Sequence, residues 1–125
     1  MEEKTKNNKG LCVILCLDYG GRDEIIWAVN KILKEGRVEI DIDGFRNYLD
    51  TDGLPDPDLI IRTGGEMRLS GFMPFQSDYA ELYFTDVYFP EFDANEFRKA
   101  IKSFSERTRR FGATARNDLE KNEKK

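Results

Sequence analysis

The sequence predicts an α/β fold in which a partial parallel sheet is flanked by helices. Short apolar runs end at turns rich in glycine, and segments with apolar residues at helical spacing alternate with these runs. The 125 residues suit one domain, and a hydrophobic content of 39% is enough for a core. A chain of this size buries only part of its surface on folding, so we expect modest stability and room for a partner chain.

The first predicted strand is the apolar run from Leu11 to Leu17, which ends at a turn over residues 18–21. Its continuous apolar character is typical of a strand that is buried on both faces. Cys12 and Cys16, the two cysteines of the chain, lie in this run. Their spacing along a strand is too long for easy bridging, so we interpret them as reduced core thiols.

A helix follows from Asp23, and we expect Gly36 to cap its carboxyl end. A second, short helix is predicted from Asp43 to Leu49. The proline-containing loop 53–57 then leads into a strand over Asp58–Ile61.

The remaining elements come after a loop without clear periodicity. A helical turn is predicted over Phe75–Ala80 and a strand near Leu82–Phe84. The last helix is predicted from Asp93 to Arg110, with Asp93 as its amino-terminal cap.

Composition excludes several classes of function. The net charge is −4 with acidic and basic residues interspersed, which argues against nucleic-acid binding. The chain has no histidine, so catalytic triads, imidazole bases and histidine metal sites are excluded. It has no apolar run of about 18 residues and a polar amino terminus, so we expect a cytoplasmic protein without a transmembrane segment.

The residues that best fit a binding site follow the second predicted strand. Arg62 stands at the carboxyl end of that strand, where ligands bind in open α/β sheets. Gly64 and Gly65 come next, and Arg68 and Ser70 follow in the same loop. Guanidinium groups offer planar paired donors and a hydroxyl adds an orienting bond, so the group fits a diphosphate.

A simpler interpretation is also open. The two arginines could pair with nearby acids such as Asp58, Glu66 and Asp78, while the glycines only form a turn. The loop lacks the spacing of a Walker motif and the chain has no complete dinucleotide fingerprint, which disfavours nucleotide binding.

Stretches along the chain resemble, in order, the later motifs of the undecaprenyl diphosphate synthase family of cis-prenyltransferases. They are residues 18–25, 56–72, 78–86 and 109–112, and the resemblance runs from about Thr5 to Gly112. It implies an undecaprenyl-diphosphate-synthase-like fold that lacks its first half. Residues 1–112 would be the carboxyl-terminal half of the domain, and residues 113–125 a polar, disordered tail.

The resemblance assigns roles to individual residues. Arg62, Arg68 and Ser70 match the residues that hold the diphosphate of isopentenyl diphosphate, and Leu69 lies in the same binding segment. Glu81 matches a glutamate that helps to hold Mg²⁺, although a surface carboxylate at the start of a strand is the plainer interpretation. Arg110 and Gly112 match an Arg-x-Gly element that reaches the diphosphate site of a neighbouring subunit; Arg110 would in any case favour the negative end of the last helix.

The function implied is condensation of isopentenyl diphosphate with an allylic prenyl diphosphate, with this chain carrying the isopentenyl diphosphate site. The family's Mg²⁺-binding aspartate segment is not found in the sequence, so no catalytic residue is assigned and the isolated chain is expected to be inactive. A complementing chain that supplies the first half would make it a working enzyme. A homodimer, and contact with the membrane through the lipid product, are also expected. The alternative is a non-catalytic remnant or partner subunit.

One position departs from the family pattern. Asp18 stands where many members carry asparagine. A carboxylate only accepts hydrogen bonds and repels phosphate, so no substrate contact is predicted at this position.

Overall fold

The computed structural model describes residues 2–107, and these residues form helices around a small parallel sheet. The two strands pair in parallel over their whole length, from Leu59 opposite Glu81 to Arg62 opposite Phe84. The fold class predicted from the sequence is therefore confirmed. In chain order the elements are α1 (Glu2–Thr5), α2 (Gly21–Lys34), α3 (Ile42–Arg46), β1 (Leu59–Arg62), β2 (Glu81–Phe84), a 3-10 turn (Phe89–Glu91) and α4 (Ala94–Ser105).

The prediction of a strand over Leu11–Leu17 is wrong. These residues have no regular structure, and Leu11 and Leu17 are 91% and 83% exposed. Cys12 and Cys16 are exposed free thiols rather than core residues. A strand needs a neighbour for its backbone hydrogen bonds, and within residues 2–107 the sheet consists of β1 and β2 alone. Apolar composition without a partner strand does not produce a strand.

Helix α2 begins two residues earlier than expected and ends as predicted. The Gly36 amide donates to the Leu33 carbonyl and the Arg37 amide to the Ile32 carbonyl, with Gly36 at φ 71°. These two bonds form a Schellman cap, which a glycine at this position favours. The helix buries the stripe of Glu24, Ala28 and Ile32. Large apolar side chains on its other side remain exposed, namely Ile26, Trp27, Val29 and Leu33.

Helix α4 begins directly after Asp93, whose carboxylate accepts hydrogen bonds from the amides of Asn95 and Glu96 at 2.8 and 3.0 Å. The predicted amino-terminal cap is therefore confirmed. The helix ends at Ser105, earlier than predicted, because the chain turns there and Arg107 reaches back to β2.

The remaining predictions differ from the structure in detail. Helix α3 is shorter than predicted, since residues 47–53 form turns. The expected helical turn over Phe75–Ala80 is present as turns that include a bond from the Ser77 amide to the Met73 carbonyl.

The core of the described residues is small. Its buried apolar side chains are Ala28, Ile32, Leu49, Ile60 and Ala100. Two polar residues, Glu24 and Gln76, are buried as deeply as most of these. Across residues 2–107, none of the helices is both long enough and apolar enough to cross a bilayer.

Candidate functional site

Arg62 is held at the carboxyl end of β1, as the sequence predicts. It lies opposite Phe84, and its carbonyl accepts a hydrogen bond from the Thr85 amide at 3.0 Å. Its side-chain Nε is buried, and no other atom within residues 2–107 accepts a hydrogen bond from it. A buried donor without a partner is uncommon in folded proteins, and this one stands where ligands bind in α/β folds. Arg62 therefore offers an unused donor to a ligand.

The loop after Arg62 is shaped by residues in left-handed backbone conformations. The amides of Gly64 and Gly65 donate to the carbonyls of Val87 and Thr85, so the first part of the loop stays paired with the chain beyond β2. Farther on, Ser70 and Met73 adopt positive φ angles of 50° and 49°. Such conformations are strained for residues other than glycine and cluster at ligand sites. The loop that carries the predicted clamp is thus a strained one.

Arg68, Leu69 and Ser70 lie in the middle of this loop. Arg68 is exposed and pairs with Glu66 at 2.6 Å, as the simpler interpretation of the arginines predicted. An exposed ion pair is worth about 0–1 kcal/mol, so a diphosphate of higher charge can replace Glu66 at little cost. Leu69 is half-buried and its carbonyl accepts from the Phe72 amide, while Ser70 is exposed. The side chains of Arg68 and Ser70 are accessible to a ligand.

Glu81 does not join this group. It lies opposite Leu59, three pairs before Arg62, which places it about 10 Å away along the strands. Because side chains alternate between the faces of a sheet, Glu81 and Arg62 also point to opposite faces. The Glu81 carboxylate accepts a hydrogen bond from Arg107 at 2.8 Å. Residues 2–107 contain no group of three acidic or cysteine side chains able to hold a metal ion.

The positions of the other residues singled out from the sequence give little information about a site. Arg110 and Gly112 lie outside the described residues. Asp18 has a positive φ of 54°, a conformation that aspartate and asparagine tolerate better than most residues.

Sequence reasoning missed a buried polar network next to the loop. Glu24 is 1% exposed, and its carboxylate accepts hydrogen bonds from the Tyr19 hydroxyl at 2.6 Å and the Asp50 amide at 2.9 Å. The Gln76 side-chain amide donates to both oxygens of the same carboxylate, at 3.1 and 3.3 Å, and to the Thr51 hydroxyl at 2.9 Å. Burial and the bond to Glu24 raise the pKa of Tyr19, which stays a hydrogen-bond donor. The network joins three separate segments to the end of the loop.

The loop is also packed directly against the start of α2. The Gly21 amide donates to the Gly71 carbonyl at 3.0 Å, and Tyr19 meets Phe72 edge to face with ring centroids 5.9 Å apart. A signal for this region was present in the sequence. Glu24 shares the helical stripe of Ala28 and Ile32, and a glutamate on an apolar stripe is unusual enough to indicate a specific partner.

Comparison with known families matches most of the chain. The model of a prenyltransferase family described as undecaprenyl diphosphate synthase matches residues 1–112. An isoprenyl transferase of Fusobacterium nucleatum is 51% identical over 112 residues, which cover 90% of this chain and 48% of that protein. A tritrans,polycis-undecaprenyl-diphosphate synthase of Thermoplasma volcanium is 50% identical over 117 residues, or 89% of this chain and 45% of that protein.

Solved structures agree with these relatives. A probable undecaprenyl diphosphate synthase from Campylobacter jejuni superposes with a TM-score of 0.77 at 41% identity, covering 90% of this chain and 52% of that one. A lavandulyl diphosphate synthase from Lavandula x intermedia, solved with dimethylallyl diphosphate, gives a TM-score of 0.83 at 37% identity, covering 90% and 51%. The chain spans about half the length of the curated relatives that it matches.

Proposed function

Because the chain belongs to the undecaprenyl diphosphate synthase family of prenyltransferases, we propose that it carries the isopentenyl diphosphate site of a cis-prenyltransferase. The reaction joins isopentenyl diphosphate to an allylic prenyl diphosphate. A carbon–carbon bond forms at the allylic carbon, the allylic diphosphate leaves and a proton is lost from the isopentenyl unit. The residues of this chain bind and orient the diphosphate that stays attached to the product.

The observation that carries this proposal is the state of Arg62. Its Nε is a buried donor without an acceptor in residues 2–107, at the carboxyl end of β1. A diphosphate oxygen at that position would satisfy the donor and bring the ligand beside the loop. Arg68 and Ser70 are exposed in that loop and can complete the clamp, with Leu69 in the same segment. Arg110 and Gly112 are proposed to add contacts by resemblance to the family.

Mg²⁺ is proposed as the cofactor, with Glu81 as one ligand. Mg²⁺ takes one or two carboxylates and completes its coordination with water and phosphate oxygens, so a single glutamate suits it. When bound, the ion would neutralise the charge of a diphosphate leaving group. Glu81 and Arg62 lie at opposite ends of the strand pair and on opposite faces, so the proposed ion is not assigned to the diphosphate that Arg62 holds. Arg107 holds one oxygen of this carboxylate, so an ion would bind the other oxygen or displace Arg107.

A second polypeptide that carries the other half of the relatives' length is proposed to complete the enzyme, and another copy of this chain is proposed as a dimer partner. Two features support it. The apolar residues of 11–17 are exposed, and so is the apolar side of α2 around Ile26 and Leu33. Exposed apolar surface of this extent is typical of an interface.

The second candidate function is a binding or partner subunit without turnover. The same exposed apolar surfaces favour it, because they would serve a docking role whether or not a reaction follows. Both candidates predict that the chain binds a partner, and they differ in whether the complex turns substrate over.

The test is calorimetric titration of the chain with isopentenyl diphosphate in the presence of Mg²⁺. The Arg62→Ala, Arg68→Ala double variant is expected to lose binding. The Arg37→Ala, Arg98→Ala double variant removes the same charge from exposed arginines away from the loop and serves as the control. Absence of binding by folded chain, or equal loss in both variants, would overturn the clamp. Product formation after addition of the candidate partner would then separate the enzyme from the binding subunit.

A further inference from the structure

The buried network around Glu24 has no part in the proposed clamp, yet it borders the loop that forms it. In residues 2–107 no lysine or arginine pairs with the Glu24 carboxylate, although the residue is 1% exposed. The donors that bond to it in this part of the chain are the Tyr19 hydroxyl, the Asp50 amide and the Gln76 side-chain amide, all of them neutral. A buried carboxylate is costly unless its hydrogen bonds are satisfied, so this group is tolerated only while its donors stay in place.

The donors come from segments that are distant in sequence. Tyr19 precedes α2, Asp50 follows α3, and Gln76 ends the loop that contains Arg68 and Ser70. Gln76 is itself 2% exposed, and its amide spans Glu24 and Thr51. The end of the loop is therefore fixed to α2 and to the turn after α3 through one side chain.

Other contacts fix the same part of the loop. Between Ser70 and Gln76, the Gly71 carbonyl accepts from the Gly21 amide, and the Phe75 ring packs on Phe45 with centroids 5.2 Å apart. Ser70, at the start of this stretch, holds a strained φ of 50°. Strained conformations persist only where the surroundings impose them. The strained conformation at Ser70 is thus held in place by the contacts of the residues that follow it, up to Gln76.

We propose that Glu24 and Gln76 are positioning residues for the diphosphate loop, which hold Arg68 and Ser70 in the arrangement that binds the ligand. Neither residue touches the ligand. They act through the backbone between Ser70 and Gln76, and Glu24 supplies the acceptors that keep Gln76 in its buried position. The expected effect of Glu24 and Gln76 on affinity rests on the proposed function. Their expected effect on the conformation of the loop rests on the fold alone.

The network allows a conservative exchange. In Glu24→Gln, an amide nitrogen replaces one carboxylate oxygen. Either the Asp50 amide then loses its acceptor, or the Gln76 side-chain amide must turn over and no longer donates to position 24 and Thr51. The swapped pair, Glu24→Gln with Gln76→Glu, again places one carboxylate opposite one amide. The amide introduced at position 24 then donates to the carboxylate introduced at position 76. The amide oxygen at position 24 takes the place of Oε1 and still accepts from the Asp50 amide. The hydroxyls can turn to suit the exchange: Tyr19 accepts from the amide at position 24, and Thr51 donates to the carboxylate at position 76.

The experiment measures two quantities for the full chain. The first is the Kd for isopentenyl diphosphate by calorimetry, and the second is amide hydrogen exchange of residues 66–76, which needs no ligand. Glu24→Gln is expected to weaken binding by about tenfold or more, the range seen when a supporting partner of a ligand site is lost. It should also speed exchange in the loop, while the swapped pair returns both values towards those of the unmodified chain.

Ala100→Gly is the control for a general loss of stability. Ala100 is fully buried in α4, away from the loop, and glycine there is expected to lower the Tm by about 4–8 °C. All variants are measured below their unfolding temperature. Affinity within about twofold of the unmodified chain is expected for Ala100→Gly, because a loss of this size leaves the loop in place.

The outcomes separate the positioning role from the proposed function. If Glu24→Gln binds as tightly as the unmodified chain, or if the swapped pair gives no recovery, the positioning role is overturned. If the unmodified chain binds no isopentenyl diphosphate, the proposed function is overturned. In that case, amide hydrogen exchange of residues 66–76 decides the inference. Faster exchange in Glu24→Gln that the swapped pair reverses supports the positioning role, and unchanged exchange in Glu24→Gln overturns it.

Discussion

Gly21 and Gly71 are joined by a backbone hydrogen bond of 3.0 Å, which brings the start of α2 into contact with the loop after Arg62. The approach is close enough that a side chain at position 21 has no room. A Cβ there would lie 2.1 Å from Cδ of Pro74 and 2.6 Å from the Gly71 carbonyl oxygen. Both obstacles are rigid, one a proline ring and the other backbone.

Gly21→Ala is therefore expected to destabilise the fold. Overpacking of this kind costs about 1–3 kcal/mol, more than alanine returns through its helix propensity. Urea unfolding followed by circular dichroism measures the difference. Gly10→Ala is the matched control, because a Cβ at position 10 meets nothing within 4 Å and should leave stability unchanged. Equal midpoints for Gly21→Ala and the unmodified chain would show that the loop does not pack against α2 as described.

Substitution of Ser70 separates strain from ligand binding. Ser70 has a φ of 50°, which glycine adopts freely and alanine does not. Ser70→Gly should thus be more stable than Ser70→Ala by about 1 kcal/mol. Both variants lack the hydroxyl, so both should bind isopentenyl diphosphate about tenfold or more weakly, the value of one hydrogen bond to a charged group. Unfolding and calorimetry measure the two effects, and a variant that keeps full affinity would remove Ser70 from the clamp.

The two arginines of the clamp show how far the sequence could lead. Their positions follow from local signals, since an apolar run, a pair of glycines and a hydroxyl are enough to predict a diphosphate loop after a strand. The partner of Arg68 was also among the alternatives weighed from sequence. Glu81 lies on the opposite face from Arg62 and at the opposite end of the strand pair. This placement depends on the register of β1 against β2, which spacing along the chain does not reveal.

The strand predicted at 11–17 failed for a different reason. Its composition is right for a strand, but strands are stabilised by neighbours, and β1 and β2 pair with each other within residues 2–107 without including it. The contacts of Glu24 with Gln76 were equally hidden, because they join residues 52 positions apart. Long-range pairing, rather than local propensity, is what the sequence alone left open.

The exposed thiols offer a direct check on residues 11–17. Cys12 and Cys16 are exposed, so in native chain at low concentration both should react with Ellman's reagent about as fast as in urea. The Cys12→Ser, Cys16→Ser double variant gives the background. Protection of both thiols in the native chain, released by urea, would mean that the segment is covered in solution.

The cap of α4 predicts a pH dependence of stability. Hydrogen bonds from the Glu96 and Asn95 amides lower the pKa of Asp93 from its usual 3.8. A lowered carboxyl pKa adds stability above the unfolded value, and this contribution disappears as the pH falls through the folded pKa. Asp93→Ala should therefore have a lower Tm than the unmodified chain at about pH 7, and the difference should shrink below pH 3.8.

Asp93→Asn keeps an accepting oxygen that does not titrate, so its Tm should stay close to that of the unmodified chain at neutral pH and exceed it in acid. The Tm difference between Asp93→Ala and the unmodified chain could also stay constant down to about pH 2. That result would show that the ionised cap does not stabilise α4.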